Sequence, residues 1–176
     1  MGSQARGYLT SDARKDSLAI VDDDRPSFES MMPAYYGALL RRLVFVLGNE
    51  DDARDVAQDA YLQAFHAWGR FVGGDPRAWL YTIALRLAFN RLRARKRWFA
   101  PLRPVEAAVW DAPSDPDLWA ALMSLDPRHR SAFLLNVQDG FTQLEIARMM
   151  SVPEGTVSSW ISRARAALKR ELGAPS

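Results

Sequence analysis

Thr142-Gln143-Leu144-Glu145-Ile146-Ala147-Arg148-Met149-Met150-Ser151-Val152-Pro153-Glu154-Gly155-Thr156-Val157 is the stretch that decides the fold. Thr142 and Glu145 stand at capping-box spacing. The Thr142 hydroxyl can accept from the Glu145 amide, and the Glu145 carboxylate can reach back to the cap amide. The helix they open continues through Ile146, Ala147, Met149 and Met150. Ser151 to Gly155 breaks it, and Pro153 pre-sets the start of a second helix that runs to about Leu172. Two helices across a turn this short are the helix-turn-helix signature. At about 100° per residue, Val157, Ile161, Ala164, Leu168 and Leu172 fall on one face. The opposite face carries Ser159, Ser162, Arg163 and Arg170, with Ser158 and Arg165 on the flanks and Trp160 at the boundary. Such a face suits a DNA major groove, with hydroxyls meeting bases and guanidiniums meeting bases or phosphates. A helical hairpin with an ordinary soluble outer face carries the same pattern.

Towards the N-terminus, Asp126-Pro127 opens a helix with Phe133, Leu134 and Val137 as its core side, and Asp139-Gly140 ends it. A shorter helix is expected over Asp117 to Leu125, with Leu118, Trp119 and Leu122 inward. Phe99 to Pro116 holds Pro101, Pro104, Pro113 and Pro116 with net negative charge, and reads as an extended linker. Before it, Asp75 can cap a helix from Pro76 to about Trp98, with Leu80, Ile83, Ala84 and Leu87 as the buried stripe. Gly69, Gly73, Gly74 and Pro76 mark the preceding loop. Glu50 to Trp68 shows an almost unbroken repeat at helical spacing, through Ala53, Val56, Ala57, Ala60, Tyr61, Ala64 and Phe65. An earlier helix begins near Ser27, with Phe28, Met31, Met32, Tyr35, Leu39, Leu43 and Val46 in register and Gly48 as its stop. Met1 to Pro26 reads as a polar tail. Strand-type alternation is absent. The expected fold is all-α: two small helical domains, a helical bundle and a helix-turn-helix unit, joined by a Pro-rich linker. Their bounds are 27–98 and 118–172, with the tail over 1–26 and the linker over 99–117. Each domain has a thin core, so packing on a partner should matter to its stability.

The formal net charge of the 176 residues is +2, but the charge is segregated. Asp22 to Asp59 holds nine acidic residues against four arginines. Arg77 to Arg97 holds seven basic residues and no acidic one. Such blocks point to separate charged partner surfaces, and the basic block to a polyanion. The chain has no cysteine, which excludes a disulfide framework, thiolate metal sites and a cysteine nucleophile. His66 and His129 stand far apart and outside any metal-ligand spacing, so no metal, cofactor or catalytic residue is expected. No apolar run reaches the length of a membrane span, and no signal-peptide pattern opens the chain, so a cytoplasmic protein without membrane insertion is expected.

Three blocks together resemble bacterial sigma factors of the extracytoplasmic-function type. The first, Asp51 to Phe65, is similar to the acidic helix that such factors dock on core RNA polymerase. The second, Arg77 to Arg93, is similar to the helix that melts and reads the −10 promoter element. The third comprises Leu125-Asp126-Pro127-Arg128, Glu145-Ile146-Ala147, Glu154-Gly155-Thr156-Val157 and Arg163-Ala164-Arg165. It is similar to the −35-reading domain. The resemblance covers roughly Ser27 to Leu172. It implies a region-2-like bundle and a region-4-like helix-turn-helix domain in an initiation factor that directs polymerase to promoters. Asp51, Asp52, Asp55, Gln58, Asp59 and Leu62 would dock on the core enzyme. Trp79, Arg86, Asn90, Arg93 and Arg97 would face −10 DNA, with the loop from Phe71 to Asp75 as a pocket for a flipped base. Thr156, Ser158, Ser159, Trp160, Ser162 and Arg163 would face −35 DNA. The implied partners are core RNA polymerase, promoter DNA and an anti-sigma factor.

The chain departs from the family pattern in the acidic helix, where Ala57-Gln58-Asp59 stands for the usual Val-Gln-Glu, and at four of the DNA-facing positions. Arg86 stands where an Asn is frequent, and Asn90 where an Asp is frequent. Ser158 and Trp160 stand where basic residues are usual. A stand-alone helix-turn-helix regulator, or a sigma-like polymerase-binding regulator with weak initiation, are the rival readings. Catalysis by the acidic helix through bound metals is a weaker rival, because such sites draw carboxylates from several elements.

Overall fold

The computed structural model describes residues 27–98 and 115–173, so the expected tail and most of the expected linker lie outside the described residues. Among them, the helices in order are α1 (Phe28–Met31), α2 (Pro33–Leu47), α3 (Glu50–Ala67), α4 (Pro76–Trp98), α5 (Pro116–Ser124), α6 (Pro127–Val137), α7 (Gln143–Met150) and α8 (Glu154–Leu172). A single 3-10 turn, Trp68–Arg70, follows α3. No β-strand occurs among the described residues.

Local chemistry sets the helix ends. Ser27 accepts from the Ser30 amide at 3.2 Å and caps α1. The helix expected from Ser27 to Gly48 is broken at Met32, because Pro33 has no amide to continue the ladder. Gly48, at φ 64°, ends α2 in a left-handed conformation that glycine adopts without strain. Asn49 accepts from the Asp52 amide at 2.8 Å and caps α3, whose first turn carries Glu50, Asp51 and Asp52. Acids there complement the positive end of the helix. Asp75 accepts from the Arg77 amide at 2.9 Å at the start of α4. Helix α5 begins at Pro116, within the segment expected as linker, because Asp115 accepts from the amides of Asp117 and Leu118 at 2.9 and 3.2 Å.

Helices α2, α3 and α4 form one unit. The α3 face within it is lined by Ala53, Ala57, Ala60 and Ala64, all fully buried. Small side chains there let three helix backbones approach closely. Helices α5 to α8 form the second unit, with Val157, Ile161, Ala164 and Leu168 of α8 buried as the face pattern predicts. Leu172 was expected on that face, but at the helix end it is 45% exposed. Helix α6 also differs from expectation. It packs on α8 with one side and on α2 with another, so Arg130, Ser131, Ala132, Leu134 and Leu135 are buried while Val137 turns outward, 54% exposed.

The two units cover each other. One continuous core joins Leu80, Tyr81 and Leu85 to Leu135, Phe141 and Ile146. The partner that each thin core required is therefore the other unit. At the seam Arg130, 4% exposed, is the central polar group. Its Nη1 donates to the carbonyls of Leu122, Met123 and Leu125 at 3.0, 3.1 and 3.3 Å. Its Nη2 donates to the Val46 carbonyl of α2 at 3.1 Å. Burial pulls its pKa down to about 10, which still leaves the group charged at neutral pH. Replacing it leaves several buried carbonyls without a donor. Arg130→Met should cost on the order of 3 kcal/mol in denaturant unfolding, because unmet buried acceptors carry their full desolvation penalty. A loss below about 1 kcal/mol would show that these carbonyls find other donors.

Candidate polymerase and promoter interfaces

On α3, Asp51, Asp55, Gln58 and Leu62 lie along one outward stripe, and all are exposed. Asp59 is exposed beside them. Asp52 differs. It turns toward α4, where it accepts from Arg91 Nε at 3.0 Å and from Arg95 Nη1 at 3.2 Å. Asp55 meets Arg91 Nη2 at 3.0 Å but remains 65% exposed. Part of the charge segregation in the sequence is thus cancelled between neighbouring helices. The stripe ends in an apolar foot, Leu62 and Phe65, 58% and 50% exposed. Phe65 was placed in the helix repeat by its spacing, yet it stays half exposed, with its ring edge-on to Phe28 at 5.5 Å and tilted against His66 at 5.8 Å. Beside it, Tyr61 donates to the Met32 carbonyl at 2.6 Å, and burial followed by the nearby Tyr36 pushes its pKa up to about 12.

On α4, Arg86, Asn90 and Arg93 are exposed and share a face. Arg86 donates to Gln63 Oε1 at 3.2 Å, which ties the promoter-type helix to the acidic one. Arg93 donates to Asn90 Oδ1. The backbone of Arg97 continues α4, and its side chain lies outside the described residues. Trp79 is half-buried, against Phe71 at 5.0 Å and Trp68 at 5.9 Å. Its place in the structure is an aromatic cluster at the foot of the loop. Phe71 stacks on Trp68 at 5.2 Å and 9°, so the base of the expected pocket is filled by the loop's own first ring. Beyond it, Val72 is 95% exposed.

The helix-turn-helix forms as its sequence predicts. The Glu145 amide donates to Thr142 Oγ1 at 3.2 Å, and the Thr142 amide donates to Glu145 Oε2 at 2.7 Å. The Thr142 amide and hydroxyl hold the Glu145 carboxyl below its ordinary range. Ser151, at φ 53°, is a left-handed non-glycine residue and turns the chain from α7 toward α8. Ser158, Ser159, Ser162 and Arg163 are exposed on α8, and Thr156 is half-buried. Ser159 donates back to the Gly155 carbonyl at 2.9 Å, which occupies its proton. Trp160 is half-buried with its ring 5.9 Å from that of His129.

Sequence reasoning missed Arg42, Arg77 and Asp139, which meet at the seam. Arg42 Nε donates to Asp139 Oδ2 at 2.6 Å, and Arg77 Nη2 donates to the Asp139 carbonyl at 2.9 Å. A signal for the first was present: Arg42 interrupts the apolar run from Leu39 to Leu47, where a buried charge needs a partner. Nothing local identified Asp139, which read as a helix stop.

An exposed acidic stripe, a basic helix beside it and a helix-turn-helix define a DNA-reading protein with a second docking surface. Family models agree. Sigma-70 region 2 matches residues 28–98, and Sigma-70, region 4 matches residues 116–168. The ECF RNA polymerase sigma factor SigM of Mycobacterium tuberculosis is 33% identical over 160 residues, covering 88% of this chain and 82% of that protein. The ECF RNA polymerase sigma factor SigW of Bacillus subtilis is 25% identical over 169 residues, covering 85% and 90%. Among solved structures, the sigma factor RpoE in complex with the anti-sigma factor NepR from Bartonella quintana is similar at TM-score 0.71 and 25% identity, covering 88% of this chain and 99% of that one. The chain belongs to the sigma-70 family, as a sigma factor of the extracytoplasmic-function type. It is a promoter-directing transcription initiation factor. Among the described residues no helix is long and apolar enough to cross a membrane.

Thr142→Ala removes the hydroxyl half of the capping box. It should lower unfolding stability by about 1 kcal/mol. An unchanged denaturation midpoint would mean that the Glu145 side chain alone caps α7.

Proposed function

We propose that three helices divide the work of initiation. On this reading α3 docks on core RNA polymerase through Asp51, Asp55, Gln58, Asp59 and the apolar foot of Leu62. Asp52 supports that face from behind through Arg91 and Arg95. Helix α4 reads and opens the −10 element through Arg86, Asn90, Arg93 and Arg97. Trp79 positions the loop from Phe71 to Asp75. Helix α8 reads the −35 element through Thr156, Ser158, Ser162 and Arg163, and Ser159 and Trp160 border that face. The region-2-like domain is 27–98 and the region-4-like domain 118–172, with helix α5 reaching back to Pro116. The protein acts in the cytoplasm, by binding rather than catalysis, and an anti-sigma factor is among its partners. One observation carries the reading: acidic, basic and hydroxyl-rich exposed faces stand on three different helices.

Reconstitution tests it. The purified chain mixed with sigma-free bacterial core polymerase should co-migrate with it and yield promoter-specific transcripts from a fragment library. Co-migration without transcripts would instead favour a sigma-like regulator with weak initiation, a reading that the half-buried Trp160 supports. In the productive case Arg86→Ala should reduce transcript yield roughly tenfold, the worth of about one base contact, with core binding retained. An equal fall in core binding would move Arg86 to the docking face, where its bond to Gln63 already points.

Arg163→Ala should weaken binding to the −35 duplex by about 1–3 kcal/mol if Arg163 reads a base. A uniform small loss across sequences, with a shallower salt dependence, would make it a phosphate contact.

A further inference from the structure

We infer that the cleft between the last turn of α2, the far half of α4 and the α5–α6 turn binds a small amphipathic acid, a single apolar chain that ends in a carboxylate.

The cleft has a volume of about 690 Å³, within the range of small-molecule sites. Its apolar lining is Leu47 of α2, Phe89 and Leu92 of α4, and Met123 and Leu125 at the end of α5. Leu47 and Leu125 are buried, while Phe89, Leu92 and Met123 are half-buried. Apolar surface left facing such a space favours an apolar occupant, since each methylene removed from water strengthens binding about fourfold. The same volume holds roughly one and a half turns of a helix about 10 Å across. A small molecule therefore suits it better than a partner's helix.

Charge selects the head group. Five basic residues line the cleft, Arg93, Arg95, Lys96, Arg128 and Arg130, against one acid, Asp126. Asp126 is engaged as the cap of α6, where it accepts from the Arg128 amide at 2.8 Å. Arg95 is spent on Asp52 and on the Leu47 carbonyl, at 3.2 and 3.1 Å. Arg93 donates to the neutral side chain of Asn90. Among the described residues, Arg93, Lys96 and Arg128 form no ion pair, and all three are exposed. Arg93 and Lys96 stand about one turn apart on α4, and Arg128 faces the same cleft from α6. Arg130 adds a donor to this wall. Its Nε is buried and has no hydrogen-bond partner among the described residues. Buried N–H groups of that kind are rare and call for an acceptor. Positive charge and an unmet N–H thus lie beside apolar surface, and a guanidinium fork matches a carboxylate better than any neutral head.

Calorimetric titration of the full chain with sodium dodecanoate, kept below its micelle concentration, tests the site. No polymerase or DNA enters, so the site stands or falls apart from the initiation reading. One equivalent should bind. Decanoate should bind about fifteenfold more weakly, for its two lost methylenes. Dodecan-1-ol should bind roughly tenfold more weakly than the acid, and added salt should weaken the acid alone. Lys96→Gln and Arg128→Gln should each weaken dodecanoate severalfold and leave the unfolding midpoint in place. Met123→Trp, which fills the cleft, should abolish binding, with helix content retained by circular dichroism. No binding, or binding that none of the three variants alters, overturns the site. Equal affinity for acid and alcohol overturns the carboxylate. Binding that appears only once residues 99–114 are exchanged for a Gly-Ser segment of equal length makes the chain's own residues the occupant, and overturns the ligand.

Discussion

The last turn of α2 is the constraint on which the rest depends. A helix leaves its final carbonyls without intrahelical donors, and at a buried end they must be met from elsewhere. Here the Gly48 amide meets the Val44 carbonyl at 2.8 Å. Arg95 of α4 meets the Leu47 carbonyl at 3.1 Å, and Arg130 of α6 meets the Val46 carbonyl at 3.1 Å. One helix end thereby fixes the far half of α4 and the start of α6. Arg130 also holds the carbonyls at the end of α5, so a single guanidinium joins three elements. An arginine suits this place because it offers five donors in a fixed fork and keeps its charge when buried.

The acidic helix shows how the proposed docking face is kept available. Asp52 is drawn inward by two arginines and braces α3 against α4. Asp55, although paired with Arg91, is 65% exposed, and a pair at such exposure contributes little. Exchanging that pair for a basic partner surface therefore costs little. Asp51 and Asp59 are exposed on the same helix, and the apolar foot of Leu62 and Phe65 adds area to the charge. Charge can steer an approaching partner, while the foot supplies the burial that holds it.

Most of the fold was legible because its ends are written in short-range chemistry. The Thr142–Glu145 box, Asp75 and Gly48 each act within a few residues, so the helix ends they set could be read directly. The misreadings have a common cause. Val137 was expected inside and Leu172 on the buried face, because periodicity gives a face but not what covers it. Helix α6 is covered by α2 as well as α8, which rotates its buried side toward Arg130 and Leu134. Tyr81 and Leu85 are buried beside the expected Leu80 and Ala84, because the second unit covers that side of α4. Arg86, Asn90 and Arg93 were named through the family resemblance, and the structure leaves all three exposed on one face of α4. Arg42 and Asp139 lie 97 positions apart, and no local pattern joins them.

The seam combines two kinds of contact with different consequences. Its apolar part, where Tyr81, Phe141 and Ile146 meet, favours closure without direction. Burial, and then the nearby Asp139, raises the Tyr81 pKa, so that ring stays neutral at physiological pH. Its charged part fixes the register, since Arg42 and Arg77 must both find one carboxylate. A purely apolar seam would expose a continuous hydrophobic surface on separation, a liability in solution. The charged groups at the centre of this one forbid a slipped arrangement, because a shifted seam would leave Arg42 buried without its partner. A seam of this kind is specific in its register.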